Sequence, residues 1–155
     1  MARAKDCYNC PYVNGCIERA TMTRKEKEKL KQKAILDRVK EWTEKNLPQV
    51  ILPSGPAHRA EITIADNGDN VILNKEFFSE TFAKNKRNKK LSKTMRIAMK
   101  IMEWLPNAQF VTVETGIHHP WDFNVYTAHV LEETVEIKAR VSTSGIYLYN
   151  MQIKK

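Results

Sequence analysis

No apolar run in the 155 residues approaches the roughly 20 needed to cross a bilayer, so no membrane-spanning helix is expected. The opening residues, Met1-Ala2-Arg3-Ala4-Lys5-Asp6, lack the apolar segment of a signal peptide, and the expected location is a cytoplasm. There is no P-loop, no helical His pair with a Glu between, and no nucleophile elbow. The commonest signatures of nucleotide hydrolysis, zinc proteolysis and ester cleavage are therefore missing. Cysteine is absent beyond Cys16, and acidic residues are absent from the whole stretch between Lys84 and Lys100.

What is present is basic and foldable. A hydrophobic share of 42% and an aromatic share of 8% are ordinary for a globular protein, and the length allows one core-bearing domain plus a modest appendage. Lys and Arg number 26 against 18 Asp and Glu, a net charge of +8. The acid-free stretch carries Lys84, Lys86, Arg87, Lys89, Lys90, Lys93, Arg96 and Lys100, whose charge alone equals that excess. Such density suits neutralisation of nucleic-acid phosphates, and it equally describes a solvated loop and helix face.

Cys7, Cys10 and Cys16 form a Cys-x2-Cys-x5-Cys cluster, with Pro11 and Asn14-Gly15 to turn the chain between them. Thiolates so spaced can wrap one structural zinc, although a structural site usually takes four ligands and the fourth is not local. A disulfide with one free thiol, disfavoured in a reducing cytoplasm, and reduced cysteines without a ligand are the alternatives.

From Thr23 the pattern turns helical. Thr23 can cap, Glu26 stands three residues on, and Leu30, Ala34, Ile35, Val39 and Trp42 recur at near-helical spacing until Pro48. The alternation Arg24-Lys25-Glu26-Lys27-Glu28-Lys29 reads as a salt-bridged, solvated face. Leu52-Pro53-Ser54-Gly55-Pro56 reads as a loop or linker. It divides a cysteine cluster and charged helix (1–50) from an α+β domain (51–155).

Within that domain, Ala60 to Ala65 and Asn70 to Leu73 read as a hairpin around Asn67-Gly68. Asn74 should cap a helix carrying Phe77, Phe78 and Phe82. Ser92 should cap a second with Met95, Ala98, Ile101, Met102 and Leu105 in the core. Four strands follow: Phe110 to Glu114, Phe123 to Leu131, Thr134 to Val141 and Ile146 to Ile153. The expected fold is α+β, with helices packed on one face of an antiparallel sheet. In the third of these strands Val135, Ile137, Ala139 and Val141 alternate with Glu136, Lys138 and Arg140, so the charged set shares the face away from the core.

The order of features from Ile51 to Ile153 resembles the phage-associated branch of the barnase, EndoU, colicin and RelE-like (BECR) nuclease superfamily. The resemblance runs through His58-Arg59, Ile72-Leu73-Asn74-Lys75, Trp104-Leu105-Pro106 and Phe123-Asn124-Val125-Tyr126, then Ile137-Lys138-Ala139-Arg140 and Ser144-Gly145-Ile146-Tyr147-Leu148-Tyr149. It implies a helix-backed antiparallel sheet whose open face cleaves RNA with no catalytic metal, in a phage, prophage or toxin setting. An immunity or phage-particle protein would then be a partner. The sequence departs from such enzymes in showing no unmistakable His and Glu pair.

For that chemistry His58, His118 and His119 are the candidate acids and bases. Arg59, Lys75, Lys138 and Arg140 would stabilise phosphate charge, and Thr143 would help position the phosphate. RNA is expected over DNA, which lacks the 2′-hydroxyl nucleophile. A nonenzymatic nucleic-acid-binding module and a phage structural protein are the competing readings.

Overall fold

The computed structural model describes residues 23–116 and 120–154. Cys7, Cys10 and Cys16, with the zinc expected there, lie outside the described residues, as do His118 and His119. The chain divides into two compact units, Met1–Leu36 and Asp37–Lys155.

Helix α1 (Arg24–Asn46) begins as its sequence signals, with the Glu26 backbone N–H donating to Thr23 Oγ1 at 3.2 Å. Its residues in the first unit are largely exposed, including Leu30 and Leu36. Inside the second unit it buries Val39 and Thr43, and Trp42 meets Phe78 edge to face at 5.4 Å.

Seven strands form one sheet: β1 (Gln49–Leu52), β2 (Gly55–Thr63), β3 (Asn70–Asn74), β4 (Gln109–Thr115), β5 (Asp122–Val130), β6 (Glu133–Ser142) and β7 (Gly145–Ile153). Their spatial order is β1-β2-β3-β7-β6-β5-β4. The fold is α+β, but the sheet is not wholly antiparallel, because β3 and β7 run parallel. The Leu52 to Pro56 segment is a hairpin turn, not a linker. Leu52 pairs with Gly55 and Ile51 with Pro56, and Gly55 takes a φ of +120° that a side chain would resist.

The β2–β3 hairpin forms as expected, with Gly68 at positive φ. Its turn is pinned across the sheet. Asp69 Oδ2 accepts from the Tyr126 hydroxyl and from Asn124 Nδ2, while Asp66 Oδ2 accepts the Phe110 backbone N–H at 2.9 Å. The β5–β6 hairpin closes through Leu131 and Glu132, both at positive φ. That is the twist a two-residue hairpin needs, held by residues for which left-handed backbone costs about 1–2 kcal/mol each.

Helix α2 (Lys75–Asn85) is capped by Asn74, whose side chain accepts the Glu76 N–H at 3.0 Å. Helix α3 (Leu91–Ala98) starts one residue before the expected Ser92 cap, because Leu91 is drawn into the core and Asn88 Oδ1 takes the Lys90 N–H. The single helix expected from Ser92 to Leu105 is broken at Met99-Lys100. There the Lys100 N–H closes on Ile97 O, and α4 (Ile101–Trp104) with a short 3₁₀ turn (Leu105–Asn107) follows. The Trp104 indole N–H bridges the break to Ile97 O at 2.8 Å. The break also turns Met102 to solvent, against its expected place in the core.

The core joins Met95, Ile97, Ala98, Ile101 and Leu105 to Tyr126, Val135, Ile137, Ala139, Leu148 and Met151 of the sheet. Strand β3 pairs with β7 only at Val71–Ile146 and Ile72–Tyr147, although β7 continues to Ile153. Beyond that short overlap α2 serves the β7 edge. Thr81 Oγ1 accepts the Met151 N–H at 3.2 Å, and Asn85 Nδ2 donates to Met151 O at 2.9 Å and to Thr81 O at 2.7 Å. Both side chains are buried, so these bonds supply partners that water cannot.

Replacing Asn85 by Leu keeps the branching of the side chain but removes its amide, and orphans the Met151 carbonyl. Urea unfolding of Asn85→Leu should show a loss of about 1–3 kcal/mol with an unchanged denaturant slope, and Thr81→Val should behave similarly.

Candidate functional site

The face of the sheet opposite the α3–α4 core carries the polar and charged side chains of β6. On β6 it presents Glu136, Lys138 and Arg140, as the alternation in the sequence requires. Opposite them stand Phe123, Val125 and Thr127 of β5, and Tyr147, Asn150 and Gln152 of β7.

The β6–β7 register slips between Lys138–Asn150 and Ala139–Leu148, leaving Tyr149 without a partner residue. This bulge aims two consecutive side chains, Tyr149 and Asn150, at the same space, after which Met151 returns to the core. Helix α2 forms the opposite wall. Its clasp on Met151 through Thr81 and Asn85 sets the rotation of the helix, so that Glu76, Glu80 and Lys84, spaced by four, form a stripe facing the sheet.

Between these walls lies an open cleft of about 560 Å³, lined by Glu80, Lys84, Glu114, Lys138, Tyr149 and Asn150, with Phe123 beside them. Lys138 Nζ pairs with Glu114 Oε1 at 2.9 Å across β5. Lys84 makes no ion pair among the described residues. Partial burial, and then the neighbouring Lys138 ammonium, push its pKa below the ordinary lysine value, against a smaller pull upward from Glu136 and Glu114. Burial and the nearby Glu80 carboxylate push the Tyr149 hydroxyl the other way, so it stays protonated to higher pH than a free tyrosine. The Phe123 and Tyr149 rings pack at 5.3 Å. The cleft thus holds two cations, one of them in no ion pair among the described residues, beside two carboxylates and a neutral phenol: groups able to bind an oxyanion and move protons around it.

The residues singled out from the sequence divide into three sets. Lys138 and Lys84 meet in the cleft, and Arg140 stands two residues from Lys138 on the same face. His58 does not join them, because its Nδ1 lies 3.0 Å from Leu47 O, between β2 and the segment after α1. Arg59 pairs in register with Asn74, Lys75 opens α2 on an exposed turn, and Thr143 is exposed in the β6–β7 turn; none of the three lines the cleft.

The basic stretch is also divided. Lys90 and Lys93 both bond Glu133 Oε1, at 2.9 and 3.1 Å, and hold its carboxylate below the usual pKa. Lys86, Arg87 and Lys89 are exposed in the α2–α3 connection that begins one turn beyond the cleft, and Arg96 and Lys100 are exposed further on.

Sequence reasoning missed Glu80, Glu114, Tyr149 and Asn150. A signal for the last two exists. The apolar positions of β7 run Ile146, Leu148, Met151, Ile153, and the step of three in a period of two marks the bulge. Among the described residues no group of three or more His, Cys, Asp or Glu is arranged to hold a metal ion. Comparison with protein-family models, with curated proteins and with solved structures finds no match to this chain.

Substituting Lys138 by Met removes a like charge from beside Lys84 and frees the Glu114 carboxylate, two changes that both favour the Lys84 ammonium. NMR titration of isotopically methylated lysines should show the Lys84 pKa rising towards the ordinary value in Lys138→Met, short of it by the part due to burial.

Proposed function

We propose that this protein is an RNA-cleaving enzyme acting by transesterification, with the α2–β6–β7 cleft as its active site. The observation that carries this reading is the convergence of Lys84 and Lys138 with Glu80, Glu114 and Tyr149 in one polar cleft, where Glu114 is ion-paired to Lys138 and Lys84 makes no ion pair among the described residues. Such a site favours a ligand that brings its own negative charge, and a phosphodiester does so. The resemblance to BECR nucleases, which place RNA cleavage on the open face of a helix-backed sheet, points the same way. It also carries the proposal of a phage or toxin setting with an immunity or particle protein as partner.

In this mechanism the Glu114 carboxylate removes the proton from the ribose 2′-hydroxyl, and the oxygen attacks the adjacent phosphorus. The 5′-oxygen leaves as Lys84 protonates it, and the products are a 2′,3′-cyclic phosphate and a free 5′-hydroxyl. Lys138 offsets the charge that builds on the phosphorane oxygens, and the neutral Tyr149 hydroxyl donates to one of them. A lysine whose pKa is depressed is a better proton donor to an alkoxide than an ordinary one, which fits Lys84 to the acid role. The basic α2–α3 connection beyond Lys84 would guide the rest of the strand in. DNA lacks the nucleophile and would bind without being cut.

The test is incubation of a labelled single-stranded RNA with the protein in EDTA at low and moderate salt, with folding checked by circular dichroism. The wild type should leave 2′,3′-cyclic ends. Lys84→Gln and Glu114→Gln should each lower the rate by about 10²-fold or more, and His58→Ala should leave it unchanged. The rate should also fall on the alkaline side as Lys84 loses its proton, at a lower pH than an unperturbed lysine would set. Retarded but intact RNA would overturn cleavage in favour of a binding module, and a folded protein that neither cuts nor binds RNA would overturn both.

A further inference from the structure

Arg140 lies at the opposite end of the open face from the basic connection, and among the described residues most of its hydrogen-bonding capacity is unused. Its guanidinium carbon sits 4.6 Å from the centre of the Trp121 ring and 5.8 Å from that of Tyr147. Its one ion pair among the described residues, Nη1 to Glu76 Oε1, is 3.8 Å long, beyond hydrogen-bonding distance. Its Nε is buried and has no hydrogen-bond partner among the described residues. Because Nε is closed to solvent, a ligand would meet the guanidinium at its Nη groups, which are not so enclosed. The two rings hold the guanidinium plane in place, which suits the two-pronged recognition of an oxyanion that arginine makes and lysine does not.

The position of this group matters as much as its chemistry. Arg140 and Lys138 are two residues apart on one face of β6, about 6.6 Å along the strand. That separation is comparable to the spacing of neighbouring phosphates on an extended nucleic-acid strand. Phe123, directly opposite Arg140 on β5, also lines the cleft, so the two sites adjoin.

We propose that Arg140, braced by Trp121 and Tyr147, is a second phosphate subsite that binds the phosphate next to the one held by Lys84 and Lys138. The preferred substrate is then an oligonucleotide with a phosphate on the nucleotide flanking the cleaved bond. This inference rests on the RNA-cleaving reading for its biological meaning, but the subsite can be tested without cleavage.

The probes are a 2′-deoxydinucleotide, which cannot be cut, and the same molecule carrying a terminal phosphate at its 5′ or its 3′ end. Calorimetric titration of the full chain gives the affinities. One of the two phosphorylated forms should bind the wild type about tenfold more tightly than the bare dinucleotide, on the scale of a charge-assisted bidentate contact. In Arg140→Lys and Arg140→Gln, checked for native unfolding temperature, the ratio should fall to near one. Tryptophan fluorescence offers a second readout: it should change on addition of the phosphorylated form, and that change should vanish in Trp121→Phe, which keeps Trp42 and Trp104. Equal affinity of all three probes for the wild type, or a gain that survives in Arg140→Gln, would overturn the subsite. A gain that depends on Arg140, in a protein that cuts no RNA, would leave the subsite standing and overturn only the ribonuclease reading.

Discussion

Two side chains bonded to one backbone residue decide where the polar cleft of this protein lies. Met151 sits on a stretch of β7 that β3 is too short to cover, and an unpaired strand edge in the interior would leave its N–H and C=O without partners. Thr81 and Asn85 satisfy both. Because these residues are four apart, they fix one line along α2, and the neighbouring line of Glu76, Glu80 and Lys84 is thereby turned towards β6. Had β3 extended by another four residues, the strand pairing would have satisfied Met151 directly. The helix wall of the cleft would then have no reason to be where it is. A requirement of the buried backbone has become the geometry of a polar site.

The charge of the molecule is organised in the same economical way. The run of bases from Lys84 to Lys100 is uniform in sequence and not in space. Lys84 is turned into the cleft, Lys90 and Lys93 are tied to Glu133 at the start of β6, and Lys86, Arg87 and Lys89 remain on the exposed connection. Exposed pairs such as Lys90–Glu133 contribute little to stability, but they orient the connection between α2 and α3 relative to the sheet.

Much of this architecture was legible in the sequence because it rests on local rules. Thr23 and Asn74 cap as their side chains dictate, Asn67-Gly68 turns a hairpin, and the strict alternation of β6 separates Ile137 and Ala139 from Lys138 and Arg140. The misreadings arise where a distant contact overrides the local pattern. The prolines around Gly55 suit a linker and also suit the ends of β1 and β2, and only the pairing of Ile51 with Pro56 decides. The helix after Ser92 carries an unbroken apolar stripe, yet it bends at Met99-Lys100, where the Trp104 indole holds Ile97 O across the break. The histidines drew attention by residue type alone, while His58 spends its Nδ1 on Leu47 O. The cleft was legible only in halves, since nothing in sequence spacing brings Lys84 of a helix to Lys138 of a strand.

The unpaired Tyr149 has a further consequence, for the way such a site can arise. Without that residue β7 would read Tyr147, Leu148, Asn150, Met151, an unbroken alternation in which Leu148 and Met151 still face the core and the pairing with β6 needs no slip. The alternation of the strand is thus kept with or without the insertion, while the cleft gains a ring and a hydroxyl from it. One added codon separates a plainly alternating strand from one that lends a ring and a hydroxyl to the cleft, with Leu148 and Met151 on the core side of the pattern in either case.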